Sequence, residues 1–176
     1  MLAGESFTNH KDLLELKAGK QILFSGIIYT ARDQAHKKLI KLITQNKKLP
    51  FSLENQIIYY CGPTPAPKGR IIGSCGPTTS SRMDGFVEPL LKQGLLGMIG
   101  KGRRSEKVRD LIRKYKAVYF AAPAGCGALL AKKVLSKKIV CFKELGPEAI
   151  LRLEVKDFPL IVAIDCYGRS VYSDLP

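Results

Sequence analysis

The run Gly76-Pro77-Thr78-Thr79-Ser80-Ser81-Arg82-Met83-Asp84 carries the side chains best suited to chemistry. Gly-Pro interrupts regular structure, and Thr78, Thr79 and Ser81 supply hydroxyls. Ser81 and Asp84 have the S-x-x-D spacing of a capping box, which predicts a helix from about Arg82. A helix start presents free N–H groups and a partial positive charge, and both favour an anion. Arg82 adds a planar fork that can take a carboxylate with two hydrogen bonds. The Thr78 hydroxyl beside that field makes a proton-transfer group next to a carboxylate site. The same residues also read as an ordinary helix cap with a solvated arginine, and the local pattern leaves both readings open.

A second set is Arg32, Asp33 and His36, spaced so that all three share one side of a helix's first turns. Asp33 could orient His36, whose ring can carry a proton near neutral pH. A local ion pair at an exposed helix start is the alternative. Lys101 lies between Gly100 and Gly102, just past a predicted strand, where a cation can meet an anion; a surface lysine is the other reading. Gly125-Cys126-Gly127 lacks the G-x-G-x-x-G spacing of a phosphate cradle and reads as tight strand–helix packing. No histidine lies near Cys126 in sequence to activate it as a nucleophile.

These residues need elements to hold them. Gln21–Tyr29 reads as a strand, followed by a helix from after Thr30 to about Asn46, with Ala35, Leu39, Leu42 and Ile43 on its apolar side. Gln56–Tyr60 reads as a strand, Gly62–Gly69 as a Pro/Gly loop, and Ile71–Gly73 as a short strand. Helices are predicted over Arg82–Gln93, Ser105–Tyr115 and Gly125–Leu135, and strands over Leu95–Ile99 and Ala117–Ala121. The remainder reads as strands at Ile139–Phe142, Ile150–Val155, Leu160–Ile164 and Ser170–Tyr172, with turns at Asp157–Pro159 and Asp165–Arg169. Alternating strands and helices followed by clustered strands predict an α/β fold with a mixed sheet, in one domain over residues 1–176.

Composition narrows the function classes. The five cysteines are odd in number and none has C-x-x-C spacing, which argues against a disulfide framework and against a metal or iron–sulfur site built by this chain alone. His10 and His36 are too far apart in sequence for a metal pair. Free cysteines and the lack of a visible signal peptide fit a cytoplasmic protein, and no apolar run is long enough to span a bilayer. The net charge of +14 implies an acidic partner or substrate. Much of it lies in Lys101–Lys116, where Val108, Leu111, Ile112 and Tyr115 recur at helical spacing. That run reads as the wet face of an amphipathic helix, or, in another functional class, as a basic nucleic-acid-binding module. No recognised nucleic-acid motif accompanies it.

Five stretches in order resemble the β subunit of class I fumarases and L-tartrate dehydratases: Thr30–His36, Gly76–Asp84, Ile99–Gly102, Glu144–Ile150 and Glu154–Pro159. The resemblance runs from about Gly19 to Asp174, and Arg82-Met83-Asp84 and Glu148-Ala149-Ile150 are more similar to the fumarase branch. It implies a swivelling β/β/α domain, with a mixed sheet flanked by helices. It also implies reversible hydration of fumarate to L-malate, with L-tartrate dehydration as the alternative. The cofactor implied is a [4Fe-4S] cluster carried by an α subunit, with no metal bound by this chain alone, and the assembly implied is a hetero-oligomer. Thr78 matches the family's proton-transfer hydroxyl, Arg32, Arg82 and Lys101 match ligands of the substrate carboxylates, and His36 matches a possible active-site acid/base. The chain resembles only the C-terminal part of the long single-chain fumarases, and Pro123–Ala128 departs from their Gly-Gly-rich version.

Overall fold

The computed structural model describes residue 7 and residues 9–172. Strand β1 (Gln21–Thr30) leads through helix α2 (Asp33–Thr44) to β2 (Ile57–Tyr59). Before β1 lies a single turn, α1 (His10–Leu13), closed by an Asn9–Asp12 capping box that the sequence reading did not anticipate. After β2 come a 3₁₀ helix (Ser80–Phe86), α3 (Val87–Lys92), β3 (Gly97–Gly100), α4 (Glu106–Tyr115) and β4 (Val118–Ala121). Helix α5 (Gly127–Ala131), β5 (Val134–Cys141), a 3₁₀ turn at Lys143–Glu148 and β6 (Ile150–Ile164) complete the order.

Strands β1 to β4 lie parallel in sequence order. Strand β6 runs antiparallel to β1 on one side and to β4 and β5 on the other, so β1, β2, β3, β4 and β6 close into a barrel. The α/β class with a mixed, helix-flanked sheet is therefore the observed one. Side chains alternate between two cores as the period of 2 requires. Ile57, Tyr59, Ile99, Val118 and Phe120 fill the barrel, while Ile58, Tyr60, Met98 and Tyr119 point out under α2, α3 and α4. Helix α4 adds Val108, Leu111 and Ile112 to the outer core, so its basic run is the polar side of an amphipathic helix. Among the described residues no strand pairs with the outer edge of β5, which exposes Leu135 and Ile139 around Lys137 and Lys138.

Several expectations are corrected. The helix over Arg82–Gln93 begins as the 3₁₀ segment, and α-helix starts only at Val87. The Ser81–Asp84 capping box does not form, because the Asp84 carboxylate accepts from Arg104 Nε and the Ser105 N–H. Ile71–Gly73 forms no strand; it folds back on the Pro/Gly loop through Ser74 N–H to Thr64 Oγ1 (2.8 Å). The helix predicted to reach Leu135 ends at Ala131, since Val134 onward pairs with β6. Asp157–Pro159 is no turn: Ile150–Ile164 is one strand, and the irregularity is absorbed as a bulge with Asp157 at φ 50° and its N–H on Ser25 Oγ. Pro159 falls between the halves of β6 that pair with β5 and β4, where no second ladder is needed. Ser170 makes only an isolated bridge to Ile164.

Gly127 accounts for the Gly-Cys-Gly segment as packing. A Cβ there would overlap Ser74 Oγ and lie 2.8 Å from Gly76 N and 3.2 Å from Gly76 Cα, on the loop that leads into Thr78. Helix propensity would favour alanine by up to about 1 kcal/mol, but forcing backbone apart costs about 1–3 kcal/mol, so the clash wins. Gly127→Ala is expected to lower the urea midpoint of the chain, and an unchanged or raised midpoint would show that this approach is not tight.

Candidate functional site

In a parallel sheet the carboxyl ends of the strands share one edge, and ligands bind outside it. Here that edge carries Arg32 after β1, Tyr60 to Gly62 after β2, Lys101 after β3 and Ala122 after β4. The Thr78–Ser80 segment enters alongside as an extra parallel extension. Thr78 N–H donates to the Tyr60 carbonyl (2.7 Å), Lys101 N–H to the Thr78 carbonyl (3.3 Å), and Ser80 N–H to the Lys101 carbonyl (2.9 Å). Thr78 and Lys101 are thus neighbours by backbone pairing, although the sequence separates them by 23 positions.

Arg82 and Arg32 reach this edge from two helix starts. Arg82 Nε and Nη2 donate to the Asp33 carboxylate at 3.1 and 2.7 Å, which ties the 3₁₀ helix to the first turn of α2. Arg32 packs its Cδ against Gly62, where a Cβ would lie only 2.8 Å away. Its Nη2 is 3.9 Å from Glu148 and its Nε 3.9 Å from Asp33. Glu148 also accepts the Gln34 N–H at 2.7 Å, so the Glu144–Ile150 motif caps α2 and faces Arg32 with the same carboxylate. Thr30 Oγ1 accepts from Leu151 N–H (3.1 Å), which fastens the start of β6 to the end of β1. Among the described residues, Lys101 joins no ion pair, and Arg32 Nε is buried without a hydrogen-bond partner.

Asp33 therefore binds Arg82 and leaves the orientation of His36 to the backbone. His36 is fully buried under Tyr60 and Phe86, and its Nδ1–H donates to the Arg32 carbonyl (2.7 Å). Burial disfavours the charged ring, against the pull of that hydrogen bond, and lowers its pKa to about 4. His36 sits behind the edge as a neutral ring, with Nε2 buried and unpartnered.

The sequence reading passed over three residues that the fold brings in. Arg104 belongs to the basic run, yet its side chain is fully buried and paired with Asp84 at 2.7 Å. Tyr119 on β4 reaches Ser80, and Glu148 reaches Arg32. Glu148 lies in the Glu144–Ile150 stretch already singled out and Arg104 just past Gly100 and Gly102, but neither position by itself indicates a partner. The cysteines do not extend the site. Burial pushes the Cys75 thiol up to about 12 and Cys61 higher still, so both are protonated hydrophobes of the barrel core. Among the described residues, no three His, Cys, Asp or Glu side chains stand together as metal ligands. Among them, too, no helix is long and apolar enough to cross a membrane.

Comparison with known proteins places the chain in a family. A model of the fumarase C-terminus matches residues 5–175. The chain is 43% identical over 171 residues to a Methanocaldococcus jannaschii protein named "Putative L(+)-tartrate dehydratase subunit beta", covering 94% of this chain and 88% of that one. It is 34% identical to the L(+)-tartrate dehydratase subunit beta of Escherichia coli K12, covering 93% of this chain and 83% of the other. The anaerobic class I fumarate hydratase of the same bacterium is 36% identical over 165 residues; these are 93% of this chain and 30% of that longer protein.

His36 offers a test of the geometry that is independent of any reaction. Its folded pKa lies below the unfolded value of 6.5, so the stabilisation is full above that value and is lost as pH falls from 6.5 toward about 4. The loss is on the order of 3 kcal/mol. Urea midpoints of the chain should be steady from pH 8 to 6.5 and then drop, and His36→Phe should flatten that drop. An equal acid slope in the variant would place the titrating group elsewhere.

Proposed function

The chain belongs to the fumarase C-terminus family, and from that premise we propose that it is the β subunit of a heteromeric hydro-lyase acting on a small dicarboxylate. The reaction proposed is the reversible hydration of fumarate to L-malate. What supports the reading is that Arg32, Thr78 and Lys101 lie at the carboxyl-end edge of the sheet, with Arg82 tied to Asp33 at the start of the same helix as Arg32, in a chain of this family. L-tartrate dehydration is the second reading, favoured by the names of the two relatives that this chain covers almost end to end. Both substrates present two carboxylates, so the same cations serve either.

The roles follow from charge development. Taking a proton from a carbon next to a carboxylate pushes negative charge onto that carboxylate in the transition state. Arg82 and Lys101 bind the carboxylates and absorb that charge. Arg32 holds the far carboxylate from the start of α2. Thr78 takes or returns the proton at its Oγ; a plain alcohol is a weak base, and the neighbouring cations favour its alkoxide form. Asp33 fixes the plane of Arg82 through its Nε edge, leaving Nη1 to the ligand, and His36 supports the Arg32 backbone as a neutral ring. The partner we assign is an α subunit that carries a [4Fe-4S] cluster, which would act as a Lewis acid on the departing hydroxyl. No ligand for that cluster is assigned to this chain.

The test is co-expression with the α subunit, followed by anaerobic assay on L-malate and L-tartrate. The chain alone should turn over neither. In the complex, Thr78→Ala and Arg82→Lys should each lower kcat by ~100-fold or more, the scale of losing a proton-transfer group or a charge clamp. Near wild-type rates in both variants would remove the site assignment. Robust turnover by the isolated chain would remove the subunit reading, and the ratio of kcat/KM for the two substrates decides between them.

A further inference from the structure

The side chains that would face a dicarboxylate sit on segments that are not rigid by themselves. Thr78 and Ser80 lie on a loop extension, Lys101 lies in a glycine turn, and Arg82 lies on a 3₁₀ helix with no side-chain cap. Their mutual placement depends on what lies beneath. There, Tyr119 of β4 is fully buried, and its phenol oxygen is 2.9 Å from Ser80 Oγ and 2.8 Å from the Gly102 carbonyl. A phenol has one proton. It donates to the Gly102 carbonyl and accepts from the Ser80 hydroxyl. One oxygen atom thus joins the Thr78-bearing segment to the Lys101-bearing turn, alongside the two backbone hydrogen bonds between them.

Arg104 stiffens the same layer. Its guanidinium lies 5.0 Å from the Tyr119 ring and 5.3 Å from the Tyr60 ring, and its Nε donates to Asp84 at 2.7 Å. Asp84 is on the same 3₁₀ helix as Arg82, two residues further on. Burying a charge so completely is costly, and for stability alone an apolar side chain of similar volume serves as well. What the buried pair supplies is a fixed geometry under Arg82 and a fixed wall for the Tyr119 ring.

We infer that Tyr119, through Ser80 and Gly102, is a positioning residue that sets the spacing between Thr78 and Lys101. This rests on the proposed function for its kinetic consequence, but not for its structural one. Misplacing reacting groups by about 1 Å can cost as much as 100-fold in rate. Losing one of three ties is a smaller disturbance, so the effect expected is roughly tenfold.

The variant is Tyr119→Phe, which keeps the ring in the outer core and removes one oxygen. In the full chain, amide hydrogen exchange should quicken at least tenfold at Ser80 and Lys101, with Met98 and Ile99 unchanged. In the assembled complex, kcat should fall about tenfold while KM changes less than threefold. Ser80→Ala should have a similar effect, and the double variant should be no slower than the slower single, because both remove one tie. Wild-type protection of Ser80 and Lys101 would overturn the inference on the chain alone. So would faster exchange with kcat within twofold of wild type, or singles whose effects multiply. An inactive wild-type complex would instead defeat the proposed function and leave the exchange result to decide this inference.

Discussion

The molecule depends on β6 finding partners on both sides. A run of four parallel strands cannot close on itself, because its first and last strands both need a ladder. The 15-residue β6 supplies both, pairing with β1 along one side and with β4 and β5 along the other. Closure creates a dry interior, and it forces every crossover helix onto the outside. It also gathers the carboxyl ends of β1 to β4 into one rim rather than an open line. Arg32, Thr78 and Lys101 lie far apart in the chain and meet only because that rim exists.

A rim rich in cations repels itself, and the fold answers with two carboxylates. Asp33 takes Arg82 at 2.7 Å, and Glu148 faces Arg32 while capping α2. Arg82 is half exposed, so its pair adds little to stability and serves mainly to hold an orientation. Arg104 and Asp84, beneath, form the pair whose rupture would be expensive, since the guanidinium has no access to water. The charges are therefore layered. A buried pair sets the frame, and the exposed pairs balance the cations that remain free to meet a ligand.

Much of this was legible in residue order. Strands β2 to β4 follow from short apolar runs buried on both faces, and helices α2 and α4 from helical spacing with one clear apolar side. The boundaries missed are those that distant partners decide. Leu135 reads as the end of a helix, yet β6 draws Val134 and Leu135 into the strand that the sequence shows only from Ile139. Asp157-Phe158-Pro159 has turn composition, but a strand held on its β1 side passes through it as a bulge. The capping box at Ser81 lost its acid to Arg104, a competitor that lies 20 positions beyond Asp84. The same limit applies at the candidate site. Arg32, Thr78, Arg82 and Lys101 belong to recognisable local patterns, whereas Tyr119, Arg104 and Glu148 act on distant partners that their own neighbourhoods do not indicate.

The outer border of β5, without a partner strand among the described residues, has a consequence for life at high concentration. A bare ladder with Leu135 and Ile139 in view is a template onto which a stray chain could graft itself. Lys137 and Lys138 stand between those two residues, so any like copy arriving in register would bring ammonium against ammonium. Two adjacent ammonium groups at this border oppose edge-to-edge pairing of identical molecules.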